Sequence, residues 1–283
     1  MCSASPSPPV QIAHALPDLQ AWTAHFLAAP LPVLADTAEL LEAYRANEDA
    51  VDAHLLGEII ATDPLMSLKL MAHVASVRSS RSTTDPETVT AALVLLGISP
   101  FFRAFGPQTP VDRHLAGHPE ALQGLGVVLK RAHRSAAFAL AFAVHRMDHD
   151  APVIHAAALL HDFAEMLLWL HAPALAARIA ARQRQDPALR SAGVQHELLN
   201  IELHDLQQAL MRAWRLPELL VRISDERHAD TAQVRNVLLA VRVARHSACG
   251  WDNAALPDDV HDIAALLNLG ETPTLQLLRD IDA

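Results

Sequence analysis

The chain has 283 residues, of which 51% are apolar and only 4% aromatic, and its net charge is −10 when the histidines are neutral. An acidic balance argues against broad nucleic-acid binding, because such binding needs a basic face. Two cysteines cannot form a disulfide framework, and no run approaches the length of a membrane span. The N-terminus has no signal-peptide pattern, so we expect a cytoplasmic protein with no membrane partner.

The first part of the chain predicts a series of short helices after a flexible tail. Residues 1–16 contain several prolines that prevent regular structure, and they are expected to form this tail. Apolar residues then recur at helical spacing in segments that alternate with prolines and polar residues. These segments predict helices near residues 18–28, 37–47 and 52–62.

Three dipeptides or tripeptides in the first half have the composition of helix starts. They are Asp-Pro at 63–64, Asp-Pro-Glu at 85–87 and Ser-Pro at 99–100, the last with Ser99 as the expected cap. Aspartate and serine accept hydrogen bonds from free N–H groups, and proline tolerates the first turn. Gly97 is a natural C-terminal stop, and residues 76–84 are expected to form a polar loop.

Glycine and proline residues between 106 and 119 indicate a boundary between two lobes. We expect an N-terminal lobe of short helices at residues 17–112 and a second helical lobe at residues 113–283. Without alternating β-branched residues, the whole chain is predicted to be all-α. The second lobe is expected to hold helices near residues 122–147, 156–170, 173–185, 197–214, 231–248, 257–267 and 272–281.

Residues 156–170 draw attention because an adjacent imidazole and carboxylate interrupt an alanine- and leucine-rich stretch. The stretch has no glycine or proline and reads as one buried helix with an apolar stripe. Within it lie His161 and Asp162, and burying such a pair is costly unless it is hydrogen-bonded or serves a site.

Several pieces of the sequence occur in a recognisable order. They are Leu31-Pro32, the Ile-Ile-Ala-Thr-Asp-Pro-Leu-Met run at 59–66, the helix at 88–97 that ends in Leu-Gly, residues 135–141, Leu-Leu-His-Asp at 159–162 and Ala-Trp-Arg-Leu-Pro at 213–217. In this order and spacing, over roughly residues 30–270, the chain resembles the HDOD family, the HD-related output domains of bacterial signalling proteins. One departure is Ala75-Ser76, where the family often has Asn-Ser.

The resemblance implies an HD-like helical core that has lost the chemistry of metal-dependent HD phosphohydrolases. Such hydrolases bind a divalent metal through a histidine, an adjacent His-Asp pair and a later aspartate. Here the first position aligns with Arg134 and the last with Arg245, and a guanidinium cannot ligate a cation. We therefore expect a degenerate site in which Arg134 or Arg245 pairs with Asp162. The alternative is that both arginines lie at the surface and the alignment is one turn out.

Three functions follow from this site. The first is a non-catalytic signal transduction module, a pseudoenzyme that acts through protein partners and uses no metal or cofactor. The second is a divergent metal phosphohydrolase in which His161 and Asp162 act with His133 or His228. The third is a nucleotide or small-anion sensor, whose pocket would use Arg134, Arg245 and His228. We favour the first function, because the sequence offers no other catalytic constellation.

Overall fold

A computed structural model describes residues 11–77, 85–186 and 190–283, and the expected all-α class is confirmed across these ranges. The β pairing found there is an isolated parallel bridge between Val33 and Pro110. The first ten residues of the expected tail and most of the expected loop, residues 78–84, lie outside the described residues.

Short helices form the first part of the chain, as the sequence predicts, and a 27-residue helix opens the second part. The helices are α1 (Leu19–Ala28), α2 (Ala35–Arg45), α3 (Ala53–Ile60), α4 (Pro64–Val77), α5 (Val89–Leu96), α6 (Ile98–Ala104), α7 (Val111–His114), α8 (Pro119–His145), α9 (Ala151–Leu159), α10 (Phe163–His171), α11 (Pro173–Gln185), α12 (Ser191–Leu199), α13 (Leu203–Ala213), α14 (Glu218–Ile223), α15 (Ala232–His246), α16 (Leu256–Leu267) and α17 (Glu271–Ile281).

Two expected helix starts are wrong. Helix α5 begins after Thr88, whose hydroxyl accepts the N–H of Ala91 at 3.1 Å, rather than at the Asp-Pro-Glu of residues 85–87. Helix α6 begins directly after Gly97, which adopts a φ of +84° and joins α5 to α6 without an intervening loop. Ser99 therefore lies inside the first turn of α6 and is not its cap.

Two stretches that were each predicted as one helix are two helices. Residues 160–162 form a turn between α9 and α10, so the helix expected at 156–170 is interrupted at the His-Asp pair itself. The helix expected at 197–214 is interrupted at Asn200, which has a φ of +64°. Asparagine tolerates this left-handed conformation better than most residues, so it ends α12 and allows α13 to turn back.

The interior contains two clusters of buried apolar side chains. The larger one surrounds α8, which packs against α9, α10 and α15. The smaller one belongs to α2–α6 and includes Leu56, Ile60 and Phe101. The larger cluster also contains Trp22 and Phe26 of α1, a helix that precedes the smaller cluster in the chain.

Helix α1 packs on the second half of the chain rather than on its neighbours in sequence. It lies against α13, and the indole N–H of Trp22 donates to the carbonyl of Leu199 at 2.9 Å. Part of the expected tail also lies on this core, because the N–H of Ile12 donates to the carbonyl of His171 at 2.7 Å. The division into lobes at residue 112 stays a prediction.

The segment Ala151–His171, which spans α9 and α10, is long and apolar enough to cross a membrane by composition alone. Within the protein, 72% of its most apolar window is buried. It is therefore the core segment of this helical fold, in contact with α8 on one side and with α13–α15 on the other.

Candidate functional site

The turn between α9 and α10 places His161 and Asp162 at the wall of a cavity of about 610 Å³. Helix α8 supplies Arg131, α13 supplies a polar face and α15 supplies Arg245 to the same cavity. Asp162 precedes α10, yet its side chain does not cap the N–H groups of that helix. Its carboxylate is directed instead to the basic groups of the cavity.

Arg131 joins two carboxylates. Its Nε donates to Oδ2 of Asp162 at 2.6 Å, and its terminal nitrogen donates to Oε2 of Glu165 at 2.6 Å. The planar guanidinium suits this fork, and such charge-assisted bonds are stronger than neutral ones. Burial alone would raise the pKa of Asp162, but the charges of Arg131 and His161 hold it well below its usual range.

His161 bridges two further carboxylate oxygens. Its Nδ1 lies 3.0 Å from Oδ1 of Asp162, and its Nε2 lies 3.4 Å from Oε1 of Glu226. Burial would lower the pKa of His161, but hydrogen bonds to Asp162 and Glu226 outweigh burial and raise the pKa to about 9. His161 is therefore an imidazolium at neutral pH, and its hydrogen bond in turn lowers the pKa of Glu226.

These donors do not fit a divalent metal ion. A metal needs a neutral imidazole with a free lone pair and carboxylate oxygens that face it. Here both nitrogens of His161 already face carboxylate oxygens, and each oxygen of Asp162 already faces a basic side chain. Across residues 11–77, 85–186 and 190–283, no group of three His, Cys, Asp or Glu side chains is arranged to hold a metal.

The predicted pairing of Arg134 with Asp162 is wrong. Arg134 donates through Nε and a terminal nitrogen to both oxygens of Asp282, at 2.6 and 2.8 Å, and also to the carbonyl of Ala244 at 2.7 Å. Arg131 lies three residues earlier, close to one helical turn, and supplies the cation that Arg134 was expected to supply. Arg134 is nevertheless not a surface residue, since 15% of its side chain is exposed.

The other expected site residues are divided between the cavity and the surface. Arg245 lines the cavity, where its charge lowers the pKa of Asp162, but no ion pair within 4.0 Å joins the two. His133 lies outside the cavity lining and contacts the carbonyl of Thr62 at 2.7 Å. His228 also lies outside it, half exposed in a 3-10 turn.

Sequence reasoning missed five residues that form the ion pairs of this cavity or line it with unpaired buried atoms. Two of them had a readable signal, because Glu165 follows Asp162 by three residues and Arg131 precedes Arg134 by one turn, and such spacings share a helix face. Glu226 lies in a short 3-10 turn, remote in sequence, so no local pattern pointed to it. The missed residues are Arg131, Glu165, His204, Gln207 and Glu226.

Solved structures of other proteins share this architecture. The MmoQ response regulator of Methylococcus capsulatus str. Bath has a TM-score of 0.66 at 18% identity, covering 89% of this chain and 99% of that one. A virulence factor of Campylobacter jejuni subsp. jejuni has a TM-score of 0.62 at 19% identity, covering 89% of this chain and 90% of that one. At these identities the similarity shows a shared fold. No curated protein matches the chain in sequence.

The family is shown by a match in sequence. The model of the HDOD domain matches residues 31–230, which include α2–α14 and the His-Asp turn. That span is well over half of the chain. It contains both Asp162 and Arg131, which binds the Asp162 carboxylate. The chain belongs to the HDOD family.

Proposed function

We propose that the chain is a non-catalytic signal transduction module of the cytoplasm that acts by binding other proteins. One observation carries the proposal: the carboxylate of Asp162 lies against Arg131 on one side, at 2.6 Å, and against His161 on the other, at 3.0 Å. A metal hydrolase would need these same groups as ligands. We therefore assign these ion pairs a structural role, at the position where HD enzymes bind their metal.

The structural neighbours support a regulatory role. MmoQ, which shares the fold over nearly its whole length, is a response regulator. We extend that role to this chain as a proposal, with bacterial signalling proteins as the expected partners.

The test is the metal content of untagged protein expressed with manganese, iron and zinc supplied, measured together with phosphodiesterase activity on a nitrophenyl phosphodiester. We expect far less than one metal ion per chain and no hydrolysis above background. Stoichiometric metal, accompanied by hydrolysis that is lost in Asp162→Asn, would overturn the proposal in favour of a divergent phosphohydrolase. Asp282→Asn is the matched control, because Asp282 also pairs with an arginine but lies outside the cavity lining.

The partner is tested with His161→Gln, which removes the imidazolium but leaves the protein surface unchanged. A module that acts through its surface should co-purify with the same proteins when it carries this substitution. If His161→Gln remains folded but loses every partner of the wild-type protein, the buried site takes part directly in the output, and the proposal of a purely structural network is wrong.

A further inference from the structure

The cavity contains polar groups that the ion-pair network does not use. Gln207 is 3% exposed and lines the cavity, yet its side-chain amide nitrogen has no hydrogen-bond partner. His204, one turn earlier on α13, also lines the cavity, and its buried Nε2 has no hydrogen bond, with the nearest carboxylate oxygen, of Asp225, at 3.8 Å. Buried polar atoms are rarely left without a hydrogen bond, so two neighbouring ones, in residues that line a cavity, point to a ligand with polar groups.

One positively charged side chain of the cavity also has no carboxylate partner. Arg131 and His161 are bound by carboxylates, whereas Arg245 is exposed and forms no ion pair within 4.0 Å with any residue that the structure describes. Glu202 and Glu226 line the same cavity. A ligand with one phosphate can bind Arg245, but the acidic lining disfavours a triphosphate.

The opposite wall is apolar and is made by α10 and α11. It consists of Leu168, Trp169, Ala176 and Ile179. An apolar wall facing a few convergent polar groups is typical of small-molecule sites, as is a volume between about 300 and 1,000 Å³. A flat heterocycle would pack on this wall and present its hydrogen-bonding edge to nearby side-chain amides. Gln183, Gln195 and Asn253 also line the cavity, and each has one end of its amide already hydrogen-bonded within the protein.

We propose that this cavity binds a nucleoside monophosphate, with the base between the apolar wall and Gln207 and the phosphate on Arg245. His204 donates to the sugar or the phosphate. The inference rests on the proposed function, because a ligand that is bound and not cleaved gives the regulatory module an input. Helix α10, which carries Glu165 and part of the apolar wall, connects the ligand to the core.

The experiment is titration calorimetry of the full chain with AMP, GMP, CMP and UMP, followed by adenosine and inorganic phosphate. We expect at least one monophosphate to bind, and to bind more tightly than adenosine or phosphate alone. Arg245→Met and Gln207→Leu should each weaken binding by about tenfold or more, as expected for the loss of one charged or buried hydrogen bond. Arg235→Met is the matched control, because Arg235 is an exposed arginine on the same helix outside the cavity lining.

The outcomes separate the ligand from the function. Absence of heat with all four monophosphates, or binding that Arg245→Met and Gln207→Leu leave unchanged in folded protein, would overturn the ligand assignment while leaving the non-catalytic role intact. Equal affinity for inorganic phosphate would also overturn it, because the base would then contribute nothing. Hydrolysis of a phosphodiester with bound metal would instead overturn the proposed function.

Discussion

His161 and His171 lie at the two ends of α10, and their pKa values are shifted in opposite directions. His161 is paired with two carboxylates, and its pKa is raised to about 9. His171 is 2% exposed and lies against the rings of His25 and His114. Burial, followed by the charges of these imidazoles, lowers the pKa of His171 to about 4.

These shifts predict a pH optimum of stability. Because the pKa of folded His161 lies above its unfolded value near 6.5, its contribution is complete below pH 6.5 and is lost as the pH rises through 9. His171 binds its proton more weakly when folded, so its contribution is present above pH 6.5 and is lost as the pH falls towards 4. Each contribution is on the order of 3 kcal/mol. Urea unfolding from pH 4.5 to pH 9.5 should therefore give a maximum near neutrality.

Two substitutions show which histidine causes the loss of stability on the alkaline side and which on the acidic side of the pH optimum. His161→Gln should flatten the alkaline limb and leave the acidic limb in place, and His171→Leu should do the reverse. If both variants keep the full pH dependence of the wild-type protein, the two histidines are not the groups that titrate on unfolding.

Replacement of Arg131 should be severely destabilising. Arg131→Met leaves Asp162 and Glu165 without their shared cation, and breaking a buried ion pair in this way costs about 3–5 kcal/mol. Denaturant unfolding at pH 7 measures the loss. In the triple variant Arg131→Met, Asp162→Asn, Glu165→Gln, the stranded charges are gone and much of the stability should return. A triple variant no more stable than Arg131→Met would mean that the packing of Arg131, not its charge, is what matters.

The pair between Arg134 and Asp282 should couple the long helix to the end of the chain. Arg134→Met and Asp282→Asn remove the two partners, which are 15% and 19% exposed. In a double-mutant cycle, a coupling free energy of about 1–3 kcal/mol is expected for groups in direct contact. A coupling near zero would show that Arg134 is held mainly by the Ala244 carbonyl and the Ser247 hydroxyl.

Two glycines of α8 should respond in opposite ways to a methyl group. A Cβ on Gly124 would overlap the ring of Trp169, whereas a Cβ on Gly126 would meet nothing within 4 Å. Gly126→Ala should stabilise the protein by up to about 1 kcal/mol, because alanine is the better helix former. Gly124→Ala should destabilise it, by about 1–3 kcal/mol for an overpacked position. Thermal melts of both variants test this prediction. In a double variant, Trp169→Leu should reduce the destabilisation caused by Gly124→Ala.

The sequence predicts most of this fold because the residues that start and end its helices are local signals. Asp18 caps α1, and proline and glycine mark the ends of other helices. The turn at residues 160–162 was missed because its residues are not helix breakers. It forms where His161 and Asp162 meet Arg131 and Glu226, so tertiary ion pairs override the local helix preference.

The sequence predicts the central His-Asp pair of the candidate site but not the arginine that binds it. His161 and Asp162 are adjacent and could be recognised as a pair, and Arg245 was placed at the cavity. The partner of Asp162 was missed because Arg131 and Arg134 are one turn apart on the same helix, and sequence alone does not decide which of the two faces α10. Which residue faces the cavity depends on how α8 packs against α9 and α15.

The position of α1 limits how the chain can be divided. Trp22 and Phe26 fill the core of the second half, and the indole of Trp22 is hydrogen-bonded to Leu199. A fragment cut at the start of the family match, residue 31, would lose both aromatic side chains and uncover the face of α13 on which they pack. Excised domains of this chain should therefore retain α1, or be joined to it through a linker, if they are to stay soluble.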